Sequence, residues 1–344
     1  MFPPLDLATF DLRGGHYAIG MAIGQGSSRF ELPAWWPEPP GADFTQGCAR
    51  AIASIHPGLL DELYGHADAQ AQPYDQLLRI ICRERLGGRP VHVPEIGGCT
   101  SFAWRAPDGH IRVGRNYDFY PVQRVRQRIR LAPDGAQATI GMRGSVPCGR
   151  YDGVNEAGLF VSLHIVLAAR SEHPQPGVPF HLIPRILLES CATVRQAIDL
   201  LVQIPHIHSF NYLLADPTEF VVVECHADRL RINWPSGDRL AVGNFYRHPD
   251  MRSLQRHEKQ HLSRARVQFL ESDAWAIEAP DPWTAVQRAL TDHAIGVCGH
   301  SGGHTTLWSC IADLTERRIA YTIDAPCRGA HVDVQWPRSE PITI

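Results

Sequence analysis

Apolar residues at Ile52, Ile55, Leu59, Leu60 and Leu63 recur at helical spacing, and the pattern predicts helices over 44–66 and 74–86. Ahead of them, FDLRGGHYAIGMAIGQ reads as a strand running into a short helix. From Cys99 the alternation shortens to two. CTSFAWRA and HIRVGRNYDF flank Pro107-Asp108-Gly109, and VRQRIRLA and AQATIGM flank a second Pro-Asp-Gly at 133–135, so two hairpins are predicted. YDGVNEAGLFVSLHIV (151–166) continues the sheet. Residues 180–203 read as two helices, the second capped by Thr193. Strands return as NYLLAD, FVVVEC, LRINW and LAVGNF over 211–245, a polar helical stretch covers 252–293, and TTLWSCIAD and RIAYTID close the chain. Strands, helices, strands, helices, strands predicts stacked sheets covered by helices, an α+β protein rather than a doubly wound parallel sheet.

Composition narrows the classes. A chain of 344 residues buries a sizeable core without covalent staples, as one large domain or two medium ones. Lys+Arg 33 against Asp+Glu 36 leaves a formal charge of −3, which exerts no general pull on nucleic acid or anionic membrane. The nine cysteines are odd in number, scattered and without a C-x-x-C pair, unlike a secreted disulfide framework. The N-terminus lacks a basic stretch followed by an apolar one, and no run of about 18 apolar residues is present. The expectation is a cytoplasmic protein with reduced thiols, no membrane span and no cofactor.

The stretch EIGGCTSFAWRAPDGHIRVGRNYDF carries the chemistry. A hairpin turning at Asp108 brings Cys99 opposite Tyr117, with Asn116 and Asp118 beside it and Arg115 close by. Arg115 and Asp118 are an odd number of residues apart, so a regular strand sends them to opposite faces, and both reach Cys99 only across a bulge or kink. A nearby arginine favours the thiolate, and a carboxylate orients a neighbouring amine. Gly98 leaves the preceding carbonyl open to attack by the Cys99 thiol. Cleavage there would free an α-amine, of reference pKa ~7.7–8.0, to act as base for its own thiol. The plain alternative is a small buried cysteine.

GCTS followed by GRNYDF resembles the cysteine N-terminal-nucleophile hydrolases, and most closely the isopenicillin N (acyl-CoA:6-aminopenicillanate) acyltransferase family, with choloylglycine hydrolases and penicillin V acylases as cousins. GGHYAIGMAIGQ, YDGVNEAGL, NYLLAD, VVVEC, VGNFY, SRARVQFL and TTLWSCIAD extend the resemblance over most of the chain. It implies a four-layer αββα sandwich, autocleavage between Gly98 and Cys99, and two associated pieces: a helix-rich prosegment, 1–98, and a catalytic unit, 99–344. It also implies Cys99 as nucleophile and base, Arg115 and Asp118 flanking it, Asn244 as oxyanion donor and Arg264 as a supporting arginine. The substrate would be a small acyl amide or thioester, cleaved or transferred through an acyl-cysteine. Two departures stand out. Ala18 replaces a usual Glu, and no asparagine follows the D-G-x-N-E-x-G-L motif where the cousins place one. His164 is the candidate replacement, with Asn155 as a further possible oxyanion or substrate contact.

Other residues admit rival readings. Cys298, His300, His304 and Cys310 are all zinc-ligand types in a Gly-rich segment, which keeps open a zinc-binding or unprocessed binding protein with Cys99 inert. No metal is nevertheless expected, because Thr305 onward reads as a strand. Arg124, Arg126, Arg128 and Arg130 share one face of a strand. A solvated face paired with an acidic neighbour is favoured there over an anion-binding surface. Without interleaved aromatics, nucleic-acid binding is disfavoured. His206 and His208 are read as surface or satisfied core groups, Asn155, Glu156 and Gly158 as a turn, and Trp35 and Trp36 as a hydrophobic clamp.

Overall fold

The computed structural model describes residues 9–29, 40–83, 98–121, 126–144, 146–169, 171–256, 261–300 and 304–339. An N-terminal strand β1 (Thr9–Gly14) leads into α1 (His16–Gln25), α2 (Ala42–Ile55), α3 (Gly58–Ala69) and α4 (Tyr74–Ile81). The single helix expected over 44–66 is broken at Pro57, whose ring denies its nitrogen a helical hydrogen bond. The chain continues through β2 (Thr100–Arg105), β3 (Ile111–Phe119), β4 (Gln127–Pro133), β5 (Thr139–Arg143), β6 (Asp152–Asn155) and β7 (Phe160–Ile165). Then come α5 (Ile183–Ser190), α6 (Val194–Gln203), β8 (Phe210–Ala215), β9 (Phe220–His226), β10 (Arg229–Asn233) and β11 (Arg239–Val242). Last are α7 (Pro249–Arg252), α8 (His261–Leu270), α9 (Pro282–Thr291), β12 (Thr305–Asp313), β13 (Arg318–Ile323) and β14 (Val332–Val334). Thr193 caps α6 as expected, accepting from the Gln196 N–H at 3.3 Å.

Two sheets form, in the orders β1-β4-β5-β6-β7-β8-β9-β10 and β11-β2-β3-β12-β13-β14. Strands β8 and β9 of the first face β2 and β11 of the second. Helices α5 and α6 cover the outer face of the larger sheet, and α8 and α9 that of the smaller. This is the four-layer αββα sandwich. One apolar cluster fills the space between the sheets and runs under α2–α6, while a second lies between the smaller sheet and α8 and α9. The hydrophobic runs β8 and β9, buried on both faces, follow from this burial.

The N-terminal segment is built into the sandwich. β1 pairs in parallel with β4 and forms the edge of the larger sheet. α1 crosses α3 so closely that a Cβ on Gly20 would fall 1.9 Å from the Glu62 carbonyl oxygen, and one on Gly65 2.1 Å from that of Tyr17. Glu62 of α3 receives both ends of the Arg185 guanidinium of α5, at 2.7 and 3.1 Å. Arg185 also pairs with Glu189, which accepts from His16 at 3.0 Å and lies 3.1 Å from His56. A cleft of about 670 Å³ opens on this network, and none of the residues flanking Cys99 lines it. With Arg185 opposite Glu189, that His-His-Glu group forms part of an ion network tying the N-terminal segment to α5.

The rival surface readings resolve simply. Arg128 and Arg130 are half-buried on β4, and Arg130 pairs with Asp11 of β1 at 3.1 Å, the paired face expected. Arg126 is buried; Arg124, Trp35 and Trp36 lie outside the described residues. The buried His208 accepts from the Phe180 N–H through Nδ1, and the half-buried His206 meets the Leu201 carbonyl through Nε2. Gly158 has φ +107°, the left-handed turn position expected of it. All nine cysteines are free thiols, and no described helix is long and apolar enough to cross a membrane.

Candidate active site

The β2–β3 hairpin has the predicted register: Thr100 pairs with Asn116 and Ser101 with Arg115. Cys99 stands at the head of β2, buried, its Sγ 3.8 Å from the Asp118 carbonyl oxygen. Burial pushes its thiol up to about 11, with Arg115 pulling the other way. In the uncut chain Cys99 is therefore a protonated thiol at neutral pH.

Arg115 and Asp118 keep the opposite faces that their spacing dictates. Register does slip between Thr306 and Trp308 of β12, opposite Asp118 and Tyr117, but the slip does not bring the two charges onto one side. Arg115 points between the sheets, fully buried, with Nε 2.8 Å from Asp152 Oδ2 of β6. Asp152 is held further by Trp308 Nε1 at 2.7 Å and the Tyr321 hydroxyl at 3.3 Å. Tyr117 lies on the same face, stacked on Trp308 and Tyr151. Asp118 turns towards the outer layer, where Thr306 donates to Oδ1 at 2.6 Å while Oδ2 has no hydrogen-bond partner. Burial raises its carboxyl to about 6 against the pull of Arg266. Cys99 thus has a cation on its sulfur side and a carboxylate on its backbone side.

His164, on β7, is fully buried, and its Nε2 lies 3.1 Å from Arg115 Nη1 and 3.2 Å from Ser162 Oγ. Arginine only donates, so Nε2 accepts and the ring proton sits on Nδ1. Burial and Arg115 hold the imidazole well below its ordinary value, opposed by the Cys99 backbone beside it. Its buried Nδ1–H faces the Cys99 backbone without forming a well-aligned hydrogen bond there.

Asn244 lies in the turn after β11, gripped from both flanks. Asn211 donates to the carbonyls of Gly243 at 3.1 Å and Phe245 at 2.8 Å, and Ser263 Oγ accepts the Asn244 N–H at 3.0 Å. Asn244 Nδ2 donates to the Ile165 carbonyl at 2.9 Å, and its buried Oδ1 has no partner. A Cβ on Gly98 would stand 2.1 Å from that Oδ1, so any larger residue there would displace the Asn244 amide.

Two assignments change. Arg264 is half-buried and stacks on Phe245 at 4.3 Å; the arginine at the centre is Arg266, with Nη2 3.1 Å from the Gly98 carbonyl oxygen and Nε 2.8 Å from Thr100 Oγ1. The cause is helical phase. Ser263, Arg266, Val267 and Leu270 are buried at i, i+3, i+4 and i+7 of α8, and Arg264 falls off that stripe. Asn155 belongs to a turn remote in role: it donates to the Leu188 and Cys191 carbonyls and accepts from the Gly158 and Leu159 N–H groups, leaving nothing for a substrate. The four ligand-type residues from the Gly-rich segment do not converge. Cys310 is buried within β12 opposite Tyr321, and the His304 ring lies 3.9 Å from that of Tyr120. No local pattern in the sequence points to Asp152 or Asn211. Arg266 alone had a readable signal, the apolar spacing of its helix.

Residues 104–328 match the family of acyl-coenzyme A:6-aminopenicillanic acid acyl-transferases. The chain belongs to that family. It is a family of acyl-transferases, in agreement with the resemblance carried by the chain's motifs. The match opens just after Cys99 and spans Arg115, Asp118, His164, Asn244 and Arg266. No curated protein matches the chain. Among solved structures, it is similar to the Caenorhabditis elegans N-acylethanolamine-hydrolyzing acid amidase ortholog, at 17% identity over 63% of this chain and 93% of that one, with a TM-score of 0.46. The conjugated bile acid hydrolase of Clostridium perfringens matches at 14% identity over 65% and 89%, with a TM-score of 0.41. Penicillin V acylase of Agrobacterium tumefaciens matches at 13% over 65% and 83%, with a TM-score of 0.39.

Proposed function

We propose that the chain is a proenzyme in which Cys99 cuts its own Gly98–Cys99 bond and then, as the new N-terminus, cleaves or transfers acyl groups from linear amides or thioesters. The observation that carries this reading is the Gly98 carbonyl. Its oxygen accepts from the Arg266 cation at 3.1 Å while the next residue is the buried Cys99 thiol. Attack of Sγ on that carbon gives a tetrahedral oxyanion. Expulsion of the Cys99 nitrogen, with a proton, leaves a thioester, and water releases a Gly98 carboxylate and the free thiol. The new ammonium lies on the side of Asp118, whose unpartnered Oδ2 suits it as an acceptor.

In turnover the Cys99 amine serves as base for its own sulfur, and Arg115 favours the thiolate. The His164 Nδ1–H and the second N–H of Asn244 Nδ2 are the donors for the substrate oxyanion. Water or an acceptor amine resolves the acyl-Cys99. The 1–98 piece remains bound through β1 and the Glu62–Arg185 pair.

The direct test is trapping. Incubation with an activated acyl ester, followed by peptide mapping, is expected to find the acyl group on the α-amine-bearing Cys99 peptide. An acyl group on another residue, or none, rejects the reading. Asn244→Ala is expected to lower kcat by about 10²–10³ with folding retained; near-wild-type turnover would remove Asn244 from the mechanism. The uncut precursor should also respond to pH. With Asp118 at about 6, processing that needs its carboxylate rises as pH climbs through that value. Asp118→Asn is expected to abolish this rise as well as slow the cut, and an unchanged profile would reject the role.

A further inference from the structure

Four zinc-ligand side chains meet at the start of β12. His293 follows α9, Cys298 and His300 lie in the loop entering β12, and Cys327 lies in the turn after β13. One ligand atom from each falls within 4.8 Å of all the others. His300 Nε2 is 3.3 Å from Cys298 Sγ and 2.9 Å from Cys327 Sγ. Bonds of about 2.3 Å to sulfur and 2.0–2.1 Å to nitrogen place tetrahedral zinc ligands roughly 3.5 Å apart, so the cluster needs only small shifts to close on an ion.

The surroundings fit a coordination shell. His300 Nδ1 is 3.4 Å from Thr305 Oγ1, a partner that leaves Nε2 free to ligate. The Cys298 N–H is tied to the Asp292 carbonyl at 2.9 Å and the Ile295 N–H to Asp292 Oδ1 at 2.7 Å, which shapes the loop before the first thiol. The turn carrying Cys327 is pinned to β12 by the Asp324 N–H on the Leu307 carbonyl at 2.8 Å. Cys298 is buried and the other three residues are exposed, which gives an ion a path from solvent. Two thiolates with two neutral imidazoles balance a doubly charged cation.

We propose that His293, Cys298, His300 and Cys327 form a structural zinc site that braces the loop behind Asp118. Gly299, between two of the ligands, exchanges hydrogen bonds with Thr306: its carbonyl accepts the Thr306 N–H at 3.0 Å and its N–H meets Thr306 Oγ1 at 3.2 Å. That same hydroxyl donates to Asp118 Oδ1. The metal would therefore hold the wall of the Cys99 centre without touching the reacting atoms.

The test is metal content and cobalt(II) substitution of the full chain in reducing buffer. The expected result is one zinc per chain, and on cobalt loading a tetrahedral spectrum with thiolate-to-cobalt charge transfer. Cys298→Ser with Cys327→Ser should lose both, and His293→Ala should weaken metal binding at least tenfold. Cys99→Ala should keep both signals, which separates this site from the fate of the proposed nucleophile. The wild-type spectrum stands even where a variant fails to fold. Failure of wild-type protein to take up stoichiometric zinc or cobalt overturns the proposal. So does metal that survives loss of both cysteines, or that is lost with Cys99.

Discussion

Intact mass of purified protein is expected to give two polypeptides, one ending at Gly98 and one beginning at Cys99, whose masses add to the 38.3 kDa chain plus one water. Cys99→Ala should give a single uncut chain. The geometry behind this is local. Gly98 lies against Asn244, the Gly98 carbonyl oxygen meets the Arg266 guanidinium, and the Cys99 sulfur is the adjacent side-chain nucleophile. An amide is hard to cleave unless negative charge on its oxygen is stabilised, and removal of one such donor typically costs about 10²–10³ in rate. Arg266→Ala should therefore slow the cut far more than Arg264→Ala, which only strips a cation from the Phe245 ring. Uncut wild type, or a Cys99→Ala protein cut at the same bond, would sink the self-processing mechanism. Under native conditions the two pieces should elute together, because separating them removes a sheet edge and exposes the buried Glu62–Arg185 pair.

Loss of Arg115 should cost the fold several kcal/mol, about 3–5. Its guanidinium and Asp152 are both fully buried between the sheets, 2.8 Å apart. Removing one partner of such a pair strands the other and costs about 3–5 kcal/mol. Urea unfolding of Arg115→Ala, compared within the uncut Cys99→Ala background, should show that loss. Adding Asp152→Asn should return much of it, because the stranded charge is then gone. Trp308 and Tyr321 then share a single amide oxygen where they now have two carboxylate oxygens, so full recovery is not expected. Equal stability of Arg115→Ala and its parent would mean that the pair contributes nothing net to the fold.

Adjacent positions separated what was legible from what was not. Pro-Asp-Gly turns and strict alternation determined the β2–β3 register, and with it the neighbourhood of Cys99, Arg115 and Asp118, because a hairpin's pairing follows from its turn. The same parity argument put Arg115 and Asp118 on opposite faces. No bulge reunites them: Arg115 lies between the sheets and Asp118 towards the outer layer. Gly158 and the Thr193 cap were readable for the same reason, since both are decided within a few residues.

Long-range packing decided the rest. Whether Arg264 or Arg266 faced Gly98 depended on the phase of α8 against β2 and β11, and whether Asn244 or Asn155 lay beside Gly98 depended on which turn the second sheet delivered. Asp152 and Asn211 act across the sandwich on residues far along the chain, contacts to which no local period points. Cys298 and His300 were visible as ligand types, but their companions proved to be His293 and Cys327 rather than His304 and Cys310. By itself the sequence determined the elements, the hairpin and the likeness of its motifs, which depend on neighbours in the chain. Only the tertiary structure decided which distant side chains share a burial site, because packing of one layer on another sets that geometry.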